Sequence, residues 1–443
     1  MAMLVVLLSG VMLVGIYLRL RQSLAAAPRL DPSLASSIPP ETLTVIIPAY
    51  NEAANIQPCL RALLGSTPDP IQVIVVDDQS QDATPTLLQT LAQELQDPRL
   101  TLISGADRPP GWVGKTWACH QGSLRARTPY VLFMDCDVRL QPGSLGAMLA
   151  MAQGQPPGLV SFAPQVVCGC LAEWLVQPLM VAILAVGFDC AAVNDPRRNQ
   201  AFAFGPLMLF HRQAYQAIGG HAAVADQVVE DVALARRIKQ AGYSLQLART
   251  GPLARLRMYL SGSQLWEGWT KNWFVGLHKR WDLAAGAVLG IVLVTVVPWL
   301  GLLLAGINRE LEWWLGAGVG ILMQVAIRWE LQRSAGLAPR YLWLTWLGGL
   351  ITASIILASI YKTWSGRGWT WRGRPLSPAG SGSATPAGSC EEYRASPPIP
   401  QSSATACRDH GGLSAEPHGN TDPAALDAVA QAGATTPKAQ SHP

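Results

Sequence analysis

Charge is scarce in this chain. Only 14% of its 443 residues are Asp, Glu, Lys or Arg, against 49% hydrophobic, a balance too apolar for an ordinary soluble protein. The net charge is only +4, and the basic residues are scattered without an aromatic-interleaved stripe, which argues against nucleic acid as a partner. Metal-type cysteine spacing is also missing. The eight cysteines are dispersed, and Cys168-Gly169-Cys170 has one intervening residue where zinc pairs have two or more. Nothing in their distribution reads as a disulfide scaffold.

What is present is a set of long apolar runs. Residues 3–18 form one of about 16, just under the usual spanning range of roughly 17–25. A cleaved signal peptide competes with a retained anchor, because Ala25-Ala26-Ala27 imitates a cleavage site. No Lys or Arg precedes the run, however, while Arg19 and Arg21 follow it, so the positive-inside bias favours an anchor (residues 1–22) with the following chain in the cytoplasm. Further apolar stretches cover 283–307, 313–327 and 341–360. The first and last are long enough to span. The middle one is short, glycine-rich and flanked by Glu310, Glu312 and Arg328, so it either spans or lies re-entrant. Three spans would place Arg328, Arg333 and Arg340 inside but Arg367, Arg372 and Arg374 outside, whereas two would return the chain to the cytoplasm; loop charge leaves both open. After about residue 375 the composition turns to Ser, Pro, Gly, Ala and Thr, which predicts a disordered tail over 376–443.

Between the membrane elements, short apolar runs alternate with helical stretches. Strands are predicted at 43–47, 71–77, 100–103, 130–135 and 158–163, and helices at 52–64, 85–96, 115–127 and 142–152. That alternation predicts a parallel α/β sheet covered on both faces. Asp82 or Thr84 can cap the second helix, with Pro85 in its first turn. Three strand ends are polar: Pro48-Ala49-Tyr50-Asn51-Glu52, Asp77-Asp78-Gln79-Ser80 and Asp135-Cys136-Asp137. In an open α/β sheet such ends converge on the ligand crevice. Two carboxylates there, as hard oxygen ligands that leave most of a metal's shell open, suit Mg²⁺ or Mn²⁺ shared with a diphosphate.

The runs 45–52, 76–84 and Asp135-Cys136-Asp137, followed by Val229-Glu230-Asp231-Val232, resemble the motifs of family 2 glycosyltransferases of the GT-A fold. The resemblance covers about residues 42–274. Gly111-Trp112-Val113-Gly114-Lys115, Gly219-Gly220-His221 and the Trp-rich stretch from Trp266 look most like its membrane-bound branch, which glycosylates carotenoids and is associated with hopanoid synthesis. The resemblance implies that Ala49, Tyr50 and Glu52 line the nucleotide's base and ribose and that Asp78 binds the base. It also implies that Asp137 ligates a divalent metal, Mn²⁺ or Mg²⁺, that Asp135 contacts ribose or metal-bound water, and that Asp231 is the general base. Read without the resemblance, Asp231 opens an amphipathic helix and can simply cap it.

Lys115, at a predicted helix start, suits a donor phosphate or is solvated. His221 is either a plain loop histidine or one facing the acceptor channel. The apolar stretch 171–188, broken by Glu173, Gln177 and Pro178, reads as an interfacial helix or a buried core helix. Trp266, Trp269 and Trp273 fit sugar stacking or an interfacial aromatic belt. The Gln-x-x-Arg-Trp motif of the family's polysaccharide synthases is absent from 263–273, which favours transfer of a single sugar.

The resemblance therefore implies a multi-pass membrane enzyme: an anchor, a cytoplasmic GT-A domain (40–282) and two or three C-terminal helices (283–365). It would carry one sugar from a UDP- or GDP-linked donor to a hydroxyl of a hydrophobic lipid, a carotenoid or other isoprenoid, with inversion. A polyprenyl-phosphate or sphingolipid acceptor is the alternative within the class. Outside it stand a silent nucleotide-sugar-binding scaffold and, less well matched, a transporter.

Overall fold

The computed structural model describes residues 1–277, 279–365, 370–371 and 374–375. The tail predicted to be disordered, 376–443, lies outside the described residues. The described residues all fall in one unit, Met1–Ser383.

Eight strands form one sheet: β1 (Leu43–Ala49), β2 (Gln72–Asp77), β3 (Leu100–Ser104), β4 (Tyr130–Met134), β5 (Val138–Leu140), β6 (Gly158–Val166), β7 (Leu207–His211) and β8 (Ser244–Leu256). Their order is β3-β2-β1-β4-β7-β6-β8-β5. The first four strands in that order run parallel, in register from Thr44 opposite Gln72 to Ala49 opposite Asp77. The expectation of a wholly parallel sheet fails beyond β4. There β7 inserts antiparallel to both β4 and β6, and β5 runs antiparallel to β8, so the sheet is mixed. The physical cause is the connection. After β6 the helix Leu171–Gly187 packs on the apolar helices instead of crossing back over the sheet, so β7 enters from the opposite end.

The period of two in a strand explains why β1 and β2 are apolar at nearly every position. Val45, Ile47, Val73 and Val75 point to one face, where the helices Ile56–Gly65 and Thr84–Leu95 bury Leu60, Leu63, Leu88 and Leu91. Ile46, Ile74 and Val76 point to the other, under Ala118 and Cys119 of Gly114–Ser123 and Leu234 and Ile238 of Glu230–Gln240. The N-cap of the helix Thr84–Leu95 is Ala83, not Asp82 or Thr84, although Asp82 Oδ1 accepts from the Thr84 N–H at 2.9 Å and Pro85 occupies the first turn as expected.

Among the described residues, three helices are long and apolar enough to cross a membrane by length and composition: Ala2–Ala26, Trp281–Asn308 and Leu342–Trp364. The stretch 313–327 is part of a 25-residue helix, Leu311–Ala335, which buries Gln324 and Arg328 and packs along the N-terminal helix. Leu171–Gly187 buries Leu175, Val176 and Met180 with Tyr259, Trp269 and Ile355, so it is wedged between the sheet domain and the apolar helices. Gly348 permits that wedge, since a Cβ there would collide with the Leu175 carbonyl.

Candidate active site

The loops after β1 and β2 are laced together. Asn51 and Gln79 both adopt the left-handed region, at φ 52° and 61°, which turns each chain sharply at its strand tip. The Asn51 N–H donates to Ser80 Oγ (2.9 Å), Asn51 Oδ1 accepts from the Gln81 N–H (2.8 Å), and the Glu52 N–H donates to Thr84 Oγ1 (2.8 Å). The Asp78 N–H donates to the Ala49 carbonyl at 2.8 Å. These bonds set Tyr50 and Asp78 on one wall of a cavity of about 210 Å³ at the C-terminal ends of the parallel strands.

Every site residue expected from the sequence lines that cavity: Ala49, Tyr50, Glu52, Asp78, Lys115, Asp135, Asp137 and Asp231. Lys115, one residue into its helix, is its pivot. Its ammonium lies 2.8 and 3.0 Å from the two oxygens of Asp135 and 3.0 Å from Glu230. Burial opposes the ammonium charge, but the two carboxylates outweigh it and hold Lys115 well above the usual lysine range. Lys115 is therefore not simply solvated. For Glu230, burial pushes upward, yet Lys115 dominates and the net displacement is downward.

Asp231 shows the opposite balance. Burial, then the neighbouring Glu230 charge, raise it to about 7, against the pull of Lys115 and of the Val232 and Gly205 N–H groups that its oxygens accept (2.8 and 3.0 Å). Adjacent carboxylates driven apart in this way give one permanent anion and one group able to exchange a proton near neutrality.

Asp78 is only 3% exposed at its side chain, and burial raises it to about 6 despite a guanidinium beside it. Gly114 makes room for it, because a Cβ there would lie 2.7 Å from Asp78 Oδ2.

The cavity's charges favour a divalent cation. Six carboxylates (Glu52, Asp78, Asp135, Asp137, Glu230, Asp231) face four cations (Arg108, Lys115, Lys271, Arg374), so an incoming diphosphate meets a negative surface. Among the described residues no group of three or more His, Cys, Asp or Glu side chains is arranged to hold an ion. The carboxylates fit a hard ion completed by phosphate oxygens and water, and Lys115 sits on both oxygens of Asp135.

His221 does not face the cavity. It is fully buried, bonded through Nδ1 to the Tyr215 hydroxyl at 2.7 Å and packed on Phe133, with burial lowering it to about 3. Trp269 is also buried and donates Nε1–H to Gln177 at 2.8 Å, so it serves packing and not an exposed aromatic belt. Among the lining residues, four with charged or phenolic side chains were not singled out as site residues from the sequence: Arg108, Tyr259, Lys271 and Arg374. Each sits outside a recognisable motif, and Arg374 reads locally as one more basic residue after the last helix.

The model of the glycosyl transferase family 2 domain matches residues 44–219. The 4,4'-diaponeurosporenoate glycosyltransferase of Staphylococcus aureus strain MRSA252 is 30% identical over 263 residues, covering 59% of this chain and 66% of that protein. Its counterpart from strain USA300 is 29% identical over 264 residues, with the same coverage. The chain thus spans just under two thirds of the length of these curated relatives. A structure of the mannosyltransferase PcManGT from Pyrobaculum calidifontis, in complex with GDP-Man and Mn²⁺, covers 83% of this chain and 100% of its own at 19% identity and a TM-score of 0.49. Residues 44–219, which carry the β1, β2 and β4 tips that open onto this cavity, thus match the glycosyl transferase family 2 domain, and the chain resembles the enzymes of that family.

Proposed function

We propose that the protein is a membrane-bound, inverting glycosyltransferase that moves one sugar from a UDP- or GDP-linked donor to a hydroxyl of a hydrophobic isoprenoid lipid, a carotenoid being the leading candidate. The carrying observation is that the Asp135–Asp137 tip and Asp231 open onto one cavity. The likeness to diaponeurosporenoate glycosyltransferases supports the acceptor class.

On this reading Tyr50, Asp78 and Ala49 receive the nucleoside, and Lys115 lies within reach of the diphosphate. Asp137 would hold a Mn²⁺ or Mg²⁺ ion, which neutralises charge gathering on the leaving diphosphate. The acceptor oxygen attacks the anomeric carbon opposite the departing diphosphate. Asp231 takes the hydroxyl proton as the new C–O bond forms and the old one breaks. A base near 7 is matched to that task at neutral pH.

The placement of Lys271 and Arg374 supports a multi-pass arrangement. Both line the cavity, one before and one after the apolar helices, which favours an even number of crossings by the intervening chain. Arg19 and Arg21 lie in the last turns of the N-terminal helix, at the end that leads to the sheet, so the positive-inside bias favours a cytoplasmic domain (40–282).

The test uses membranes containing the protein, radiolabelled UDP- and GDP-sugars, Mn²⁺ and an isoprenoid lipid extract, following label into the organic phase. Wild type should transfer label only with metal, and Asp231→Asn should transfer roughly 10²–10⁴-fold more slowly. Normal nucleotide binding without transfer from any donor would move the assignment to a silent scaffold.

A further inference from the structure

Tyr50 and Asp78, assigned above to the base, already have an occupant. Arg374 Nη1 donates to Asp78 Oδ2 at 2.6 Å and to the Asp78 carbonyl at 3.3 Å. Its guanidinium carbon lies 4.9 Å from the centre of the Tyr50 ring. The side chain is held from its own strand, where Arg374 pairs antiparallel with Trp371. It is only 22% exposed, and its Nη1 lies 3.4 Å from where a Gly114 Cβ would stand.

A guanidinium is flat, delocalised and rich in N–H donors, so it stacks on an aromatic face and pairs with a carboxylate in its own plane. A nucleobase would use the same two partners in the same way. Both cannot do so at once. We propose that Arg374 is an intramolecular competitor of the donor's base, filling the base subsite until a nucleotide displaces it.

This inference rests on the reading of Tyr50 and Asp78 as the base subsite. It adds a requirement on the donor. When Arg374 leaves, buried Asp78 loses its cation, so the arriving base must present an N–H to the carboxylate to offset that loss. Uracil and guanine each do so. It also makes nucleotide affinity depend on a residue 296 positions from Asp78, beyond the last apolar helix.

The experiment measures dissociation constants of UDP, GDP and inorganic pyrophosphate by calorimetry, with Mn²⁺, on the full chain in nanodiscs. Arg374→Ala and Arg374→Gln (similar length, no charge) should both bind UDP or GDP about tenfold tighter than wild type, since a stacked, half-buried ion pair no longer has to be broken. Pyrophosphate, which has no base, should bind all three equally. Unchanged nucleotide affinity overturns the proposal. Weakened affinity also overturns it, and makes Arg374 a donor-holding residue. Placing Asp78→Ala in the Arg374→Ala background separates the two readings. If UDP and GDP affinity then stays the same, the base subsite itself is wrongly assigned; if it falls while Arg374→Ala alone gave no gain, only the competition is refuted.

Discussion

Replacing Glu230 by Gln should lower the pH at which transfer switches on. Asp231 stands at about 7 because burial and then the Glu230 charge disfavour its ionised form. As the proposed base it would act only when ionised, so kcat/KM should rise with pH through about 7 in the wild type. Carboxylates of consecutive residues lie roughly 7 Å apart, which at an effective dielectric of about 20 is worth ~2 kcal/mol. Removing that charge should move the acid limb down by about 1–2 pH units. Lys115, 3.0 Å from Glu230, then loses one of its two anions and its field on Asp231 strengthens, in the same direction. The assay is kcat/KM from pH 5 to 9 at saturating Mn²⁺, which reports groups of the free enzyme. A limb that stays near 7, or rises, would refute the coupling. Linkage supplies a control on folding. Because Asp231 is raised in the folded state, its ionisation costs stability as pH climbs from the unfolded value of 3.8 towards 7, and the full cost applies above 7. Asp231→Asn should therefore melt no lower than wild type at pH 8 while losing transfer, which separates lost chemistry from lost fold.

Chelation by EDTA should abolish transfer and Mn²⁺ should restore it, whereas Asp137→Asn should stay impaired by about 10²-fold or more at equal Mn²⁺; a variant with wild-type rate and metal dependence would remove Asp137 from the metal's shell. Gly114→Ala places a methyl 2.7 Å from Asp78 Oδ2 and should raise the donor KM about tenfold with kcat little changed, an overpacking cost of ~1–3 kcal/mol read from donor titrations. An unchanged KM would mean that Asp78 does not touch the donor.

The part of the site that could be read from the sequence is the part carried by local chemistry. Apolar runs ending in Asp78 or in Asp135-Cys136-Asp137 announce strand tips, because a strand buried on both faces stays apolar until it reaches the crevice. Asp82 and Pro85 likewise mark their helix start without outside help. The antiparallel strands of the sheet were not legible, since β7 and β5 are set by partners far away in the chain, and helices alternating with strands imply only the parallel arrangement. His221 misleads for a related reason: Gly219-Gly220 reads as an exposed turn, but the Tyr215 hydroxyl and the Phe133 ring close over the imidazole.

The cavity's charged groups are harder still to read singly, because each takes its character from neighbours on other elements. Glu230 and Asp231 are adjacent in the chain, yet one is displaced downward and the other upward because only Glu230 meets the ammonium of Lys115, from a helix more than a hundred positions earlier. Lys115 in turn owes its charge to Asp135 at a third element's tip, and Asp78 has its counter-ion in Arg374 after the membrane helices. A motif names residue types at fixed spacing, whereas proton affinity and counter-ion choice follow from distances across the fold. The sequence therefore locates the acids, and the fold decides which one can exchange a proton at neutral pH.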